Sequence, residues 1–174
     1  AKNYIKVTSL EEAYELNQKK SNAIIGGMLW LKMSNRNMQT AIDLSGLGLD
    51  KIEEQEDAFS IGCMCTLRQL EIHEALNRYF GGAMKACTRH IVGTQFRNGA
   101  TVGGSIFGRF GFSDILTCLL ALDTYVELYH AGVIALSEFV EMPRDNDILV
   151  RIIIKKMAER LHIGHTVRRR RISR

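Results

Sequence analysis

Three features of the 174-residue chain predict an α+β fold with mixed sheets, arranged as two lobes around a cleft. Strand-like and helical stretches alternate from the N-terminus onward, two short runs end in a Gly-Gly pair, and 46% of the residues are hydrophobic. That apolar content is enough to bury one good core or two small ones.

Tyr4–Val7 reads as a short opening strand. Ser9-Leu10-Glu11-Glu12 has the capping-box pattern, in which a serine hydroxyl accepts from a free amide and a glutamate three residues on returns the contact, so a helix is expected to about Lys20. Ala23-Ile24-Ile25 is a buried strand broken by Gly26-Gly27, and Thr40–Leu44 is another strand. Lys51–Gln55 and Phe59–Cys63 form a hairpin pattern with Glu56-Asp57 at its turn, after which Thr66 is placed to cap a helix carrying Leu67, Leu70 and Ile72. A second helical stretch is interrupted by Gly81-Gly82. Thr101–Gly104 repeats the Gly-Gly pattern of Ile24–Gly27, and Asp114–Leu122 is apolar enough to be a buried helix. Tyr125–Tyr129, Val133–Leu136 and Ile148–Ile154 complete the strands.

Charge argues against a nucleic-acid fold. The net charge is +4, but residues 157–174 alone carry six arginines against one glutamate, and the remainder has 17 basic and 18 acidic residues. Basicity therefore belongs to the tail and not to a surface of the fold. No stretch approaches the roughly 20 apolar residues that span a bilayer, and AKNYIKVTSLEEAYEL lacks a secretory apolar block, which predicts a soluble, cytoplasmic protein. The four cysteines, Cys63, Cys65, Cys87 and Cys118, fit neither a zinc ribbon nor an iron–sulfur loop, so reduced core thiols are expected and no metal site. Cys63-Met64-Cys65 would set both sulfurs on one face of a strand. His73, His90 and His130 are scattered singly, which suits surface or satisfied histidines better than a redox role.

A Gly-Gly pair directly after a buried strand allows positive φ and leaves no Cβ to block a ligand, so successive amides can converge on an anion. Sharp structural turns use glycine for the same reason, but two such turns in one small chain suit the two negative groups of a dinucleotide's pyrophosphate. Neither turn has the G-x-G-x-x-G spacing of a nicotinamide-binding Rossmann fingerprint.

IIGGMLWLKM at 24–33 resembles the first flavin loop of the FAD subunits of xanthine dehydrogenases, carbon monoxide dehydrogenases and related molybdenum hydroxylases, and TVGGSIFGRFGFSD at 101–114 resembles the second. RNGATVGG at 97–104, LLALDTYVEL at 119–128 and DLS at 43–45 fall in the family's order, so the resemblance covers about residues 3–156. The second motif, with an aspartate ten residues after its second glycine, is the more specific. The resemblance implies a two-lobed FAD-binding fold of the vanillyl-alcohol-oxidase / PCMH type. Residues 1–52 would form a small N-terminal α/β lobe with the first glycine loop, residues 53–156 a larger mixed-sheet lobe with the second, and residues 157–174 an atypical basic tail.

Carried over by position, the resemblance implies that Ile24, Ile25, Gly26, Gly27, Met28, Leu29 and Trp30 wrap the pyrophosphate and approach the flavin. Thr101, Gly103, Gly104 and Ser105 would bind phosphate from the opposite side. Asp114 would hydrogen-bond sugar hydroxyls, Ile91 would pack on the adenine or flavin side, and Leu149 would lie beside the ring system. Each also has an ordinary reading, Asp114 as a helix cap and Ile91 and Leu149 as core. Trp30 and Phe107 adjoin the loops either as core or as a flavin shield. Two departures weaken the match: Met28 stands where many relatives have a hydroxyl residue, and Ser105 where they have asparagine.

The composition changes abruptly at Met157, where family members continue into a C-terminal domain. A back-translation of MAERLHIGHTVRRRRISR that gains one G at its front reads DGRKAAYRSYRKTATDFP, similar to the family's continuation, so a one-nucleotide deletion is the expected origin of the tail. His162-Ile163-Gly164-His165 spells an aminoacyl-tRNA synthetase signature, but the lysine loop that should follow it, Lys32-Met33-Ser34, precedes it. By resemblance the chain is an FAD-binding oxidoreductase subunit with no catalytic acid, base or nucleophile of its own. It would pass electrons from the [2Fe–2S] clusters of one partner subunit, themselves fed by a molybdopterin-binding subunit, through FAD to NAD or another acceptor. The alternative is a truncated, non-enzymatic remnant that binds FAD weakly or not at all.

Overall fold

The computed structural model describes residues 2–25, 38–89, 99–108 and 114–157, with the backbone alone for Arg89. Its elements in chain order are β1 (Asn3–Lys6), α1 (Leu10–Asn17), β2 (Asn22–Ile25), β3 (Thr40–Asp43), β4 (Ile52–Glu54), β5 (Ala58–Gly62), α2 (Leu67–Ile72), α3 (Glu74–Tyr79), α4 (Ala83–Arg89), α5 (Val102–Phe107), α6 (Asp114–Leu120), β6 (Thr124–Leu128), β7 (Gly132–Ala135), α7 (Leu136–Phe139) and β8 (Leu149–Lys155). The predicted α+β class with two separate sheets is what the chain forms.

The first sheet is parallel, in the order β1-β3-β2. Central β3 has both neighbours and all four of its residues buried, which explains an apolar Ala41-Ile42 flanked by short polar residues. Ser9 caps α1 by accepting from the Glu12 N–H at 3.1 Å. The helix ends at Asn17, short of Lys20, because Asn22 donates its side-chain amide to Leu16 O at 2.8 Å and turns the chain into β2. Tyr4 Oη donates to Asp43 across the β1–β3 pair.

The second sheet is antiparallel, in the order β4-β5-β8-β6-β7. The predicted hairpin forms, with Gln55 N–H donating to Ala58 O at 2.7 Å across the turn. Central β8 buries Val150, Ile152 and Ile154 at the spacing of two that one sheet face requires. Gly62 closes β5 where a Cβ would stand 2.1 Å from Leu49 O, so no other residue fits there.

The described elements between β5 and β6 are all helices. Thr66 and Gln69 form a full capping box on α2, and His73 Nδ1 accepts from the Leu76 N–H at 3.1 Å to cap α3. Leu67, Leu70, Leu76, Met84, Ile106 and Leu119 are fully buried in a core continuous with Ile42 and Leu44 of the first sheet. Each such side chain contributes about 1.5–3 kcal/mol by leaving water.

Several expectations are corrected. Ile72 lies on α2 as expected, but at its end, where the chain turns into α3 and leaves the side chain 61% exposed. Cys63 and Cys65 are buried, but β5 stops at Gly62 and they flank a turn, with Cys65 N–H donating to Gly62 O. Cys87 and Cys118 are not reduced thiols; they form a disulfide, with Cα atoms 6.4 Å apart, that joins α4 to α6. The strand expected over Val133–Leu136 ends at Ala135, and Leu136 opens the short helix α7.

Candidate functional site

A cleft of about 600 Å³ lies between the two sheets. It is lined by the end of β2 at Ile24 and Ile25 and by Thr101, Gly103, Gly104 and Phe107 at α5. Cys63 and Met64 line it from the β5 turn, and residues 144–149 border it from the approach to β8. A volume in the range of small-molecule sites with mainly apolar walls and a few polar groups is the usual form of a cofactor cleft.

The second glycine pair works differently from its expected form. It does not follow a strand with positive φ; it forms the first turn of α5, capped by Thr101. Val102 N–H donates to Cys65 O at 2.8 Å, Gly103 N–H to Cys63 O at 2.9 Å, and Gly104 N–H to Thr101 Oγ1 at 3.2 Å. These three amides are therefore engaged within the fold. Gly103 is required by close packing, since a Cβ there would lie 2.9 Å from both the Cβ and the carbonyl oxygen of Cys63. Gly104 beside it lines the cleft without a side chain.

Residues 144–148, which the sequence reading does not single out, form a border of the cleft that is tied down by several hydrogen bonds. The buried Asp147 carboxylate accepts from the His130 N–H at 2.9 Å, the Ala131 N–H at 3.0 Å and its neighbour Ile148 N–H at 2.8 Å. Asn17 and Gln18 donate their side-chain amides to Asn146 O at 2.9 and 3.0 Å, which straps α1 to this segment, and Tyr14 stacks on His130 at 5.7 Å. Arg144 Nη2 donates to Gly108 O at 2.5 Å beyond the end of α5. The available signal was a polar run, Arg144-Asp145-Asn146-Asp147, directly before an apolar strand.

Of the residues proposed from sequence, Ile24, Ile25, Thr101, Gly103, Gly104 and Leu149 line this one cleft. Ser105 lies on α5 with its hydroxyl donating to Thr101 O at 2.9 Å, and Asp114 is exposed at the start of α6. Gly26, Gly27, Met28, Leu29, Trp30 and Ile91 lie outside the described residues, as do His90 and residues 158–174. Among the described residues no cluster of His, Cys, Asp and Glu could hold a metal ion, and no helix is long and apolar enough to cross a membrane. Burial pushes the Cys63 thiol up to about 12 and the Cys65 thiol up to about 11, so neither supplies a thiolate near neutral pH.

Comparison with known proteins agrees with this geometry. Residues 1–157 match the model of the FAD binding domain in molybdopterin dehydrogenase. The chain belongs to that family. It is 28% identical over 156 residues to the uncharacterized protein YgfM of Escherichia coli strain K12, a match that takes in 87% of this chain and 58% of YgfM. Its fold is that of a chain of quinoline 2-oxidoreductase from Pseudomonas putida 86, with a TM-score of 0.78 at 21% identity over 91% of this chain and 60% of that one. A chain of carbon monoxide dehydrogenase from Hydrogenophaga pseudoflava matches with a TM-score of 0.78 at 20% identity over 90% of this chain and 59% of the other. The chain thus spans about 58–60% of the length of these relatives.

Proposed function

We propose that the chain is the FAD-holding part of an electron-transfer subunit of a molybdenum hydroxylase, passing electrons from the [2Fe–2S] clusters of a partner subunit to NAD or another acceptor. The observation that carries this reading is the meeting of Ile24-Ile25 with Thr101, Gly103, Gly104 and Leu149 on one cleft, although they are far apart in sequence.

The residues present fit the cofactor. Ile24, Ile25, Met64 and Leu149 give apolar surface for flat heterocycles, and Gly104, which lines the cleft without a side chain, leaves room for an elongated ligand beside the backbone. Gly26, Gly27, Met28, Leu29 and Trp30 would hold the pyrophosphate, with Thr101 and Ser105 opposite; Asp114 would contact sugar hydroxyls and Ile91 a ring face. FAD bound there supplies the redox chemistry, while the protein contributes binding, orientation and exclusion of water. No side chain of this chain need donate or remove a proton from the hydroxylation substrate, which is handled by the molybdopterin-binding partner.

One observation favours a second reading, a folded remnant without cofactor. All three first-turn amides of α5 already have partners in the chain, so this turn adds no open N–H for a phosphate. Absorption spectra of the purified chain after incubation with FAD and removal of excess decide between the two. Retained flavin at near one equivalent supports the electron-transfer subunit; a colourless, folded protein supports the remnant.

A further inference from the structure

We propose that Asn22 selects the cofactor by accepting a hydrogen bond from an N–H donor on one of its heterocycles. The inference rests on the FAD reading above and goes beyond it, since neither glycine motif includes this residue.

Asn22 opens β2 and lines the cleft, yet only 8% of its surface is exposed. Its side-chain Nδ2 donates to Leu16 O at 2.8 Å, which fixes which end of the amide is nitrogen and which is oxygen. The other end, Oδ1, is buried and has no hydrogen-bond partner. The only other buried side-chain atom so identified among the described residues, Arg151 Nε, lies 2.9 Å from a Glu127 carboxylate oxygen, so its charge is compensated. Asn22 Oδ1 has no such compensation.

A buried acceptor without a donor is costly, and native folds keep one chiefly where an ion, a water or a ligand completes it. Asn22 lines the cleft together with Ala23, Ile24 and Ile25 of the same strand, so a ligand held against β2 is the nearest source of a partner for its amide. What Oδ1 requires is a donor. Within FAD two ring edges present one, the exocyclic amine of adenine and the imide N–H of the isoalloxazine. Asn17 and Lys20 also line the cleft, from α1 and the turn after it, and add polar surface to it.

The test measures affinities of wild type and Asn22→Leu for FAD, for N3-methyl FAD and for the flavin dinucleotide with unsubstituted purine in place of adenine. The first analogue removes the isoalloxazine donor and the second the adenine donor. The proposal expects one analogue to bind wild type about tenfold more weakly than FAD does, and to show no such deficit against Asn22→Leu, as expected for one lost hydrogen bond. Which analogue it is assigns the ring. Equal losses for wild type and variant, or no loss with either analogue, overturn the role of Asn22 while FAD binding by wild type still stands. Failure of wild type to bind FAD at all overturns both readings. A melt of the ligand-free variant separates misfolding from lost recognition, and Asn22→Gln, which keeps the amide one methylene further out, serves if Asn22→Leu does not fold.

Discussion

Gly103 and Cys63 are in such close contact that the helix of the second glycine motif and the turn after β5 are effectively one unit. The Gly103 N–H bonds Cys63 O at 2.9 Å, and an added Cβ would lie 2.9 Å from both Cys63 Cβ and O. Gly103→Ala must therefore push the helix away from the turn, at a cost of roughly 1–3 kcal/mol from overpacking. Urea unfolding should show a lower midpoint with an unchanged slope. A variant as stable as wild type would contradict so tight a contact.

Asp147 holds the 144–149 border of the cleft through three backbone N–H donors. Asp147→Ala strands the His130 and Ala131 amides and should cost about 2–4 kcal/mol, as hydrogen bonds to a charged group are worth more than neutral ones. Chemical denaturation gives the figure. A variant that unfolds at the wild-type midpoint contradicts the assignment of this carboxylate as the anchor of the β6–β7 turn.

The disulfide between Cys87 and Cys118 encloses the second motif within a 31-residue separation. Chain-entropy reasoning gives it roughly 3–4 kcal/mol of stability, lost on reduction or in a Cys87→Ala, Cys118→Ala double variant. Thiol counting should find Cys63 and Cys65 silent in the native protein, since burial pushes their pKa up to about 12 and about 11, and reactive only after unfolding. Four reactive thiols in the unfolded, non-reduced protein would refute the bridge.

Acid sensitivity follows from Asp43. Burial pushes its carboxyl up, but the bond from Tyr4 Oη, the bonds from Ser45 and the nearby Lys6 charge outweigh burial and leave its pKa below the ordinary 3.8. A depressed folded pKa contributes stability that is present above the unfolded value and is lost as pH falls through the folded one. Tyr4→Phe should raise the Asp43 pKa in a carboxyl NMR titration and shift acid unfolding to higher pH; an unchanged titration would remove the Tyr4 bond from the explanation.

Local patterns in the sequence carried most of the fold. The Thr66 capping box, the serine half of the box at Ser9, the Glu56-Asp57 turn and the apolar runs of β2 and β8 act within a few residues and appear where they were expected, although the Glu12 side chain does not return the contact to Ser9. What escaped the sequence depends on contacts between distant segments. Nothing near Gly103 announces that Cys63 will press against it, so its glycine reads as a free turn when it is a packing requirement. Cys87 and Cys118 meet only when α4 and α6 pack, and the anchoring of Asp147 depends on a turn 17 residues away. The cleft residues Ile24, Ile25, Thr101, Gly103, Gly104 and Leu149 came from family resemblance, whereas Asn22 stands in no motif and is visible only as an uncompensated oxygen.

The central claim is that the cleft between the two sheets binds FAD, and a thermal melt of the purified chain with and without excess cofactor tests it. At 100 times its dissociation constant, FAD should add about 2.7 kcal/mol and raise the midpoint by several degrees. The same midpoint with and without FAD, in a protein that unfolds cooperatively, would mean that the family fold is present here without its cofactor function.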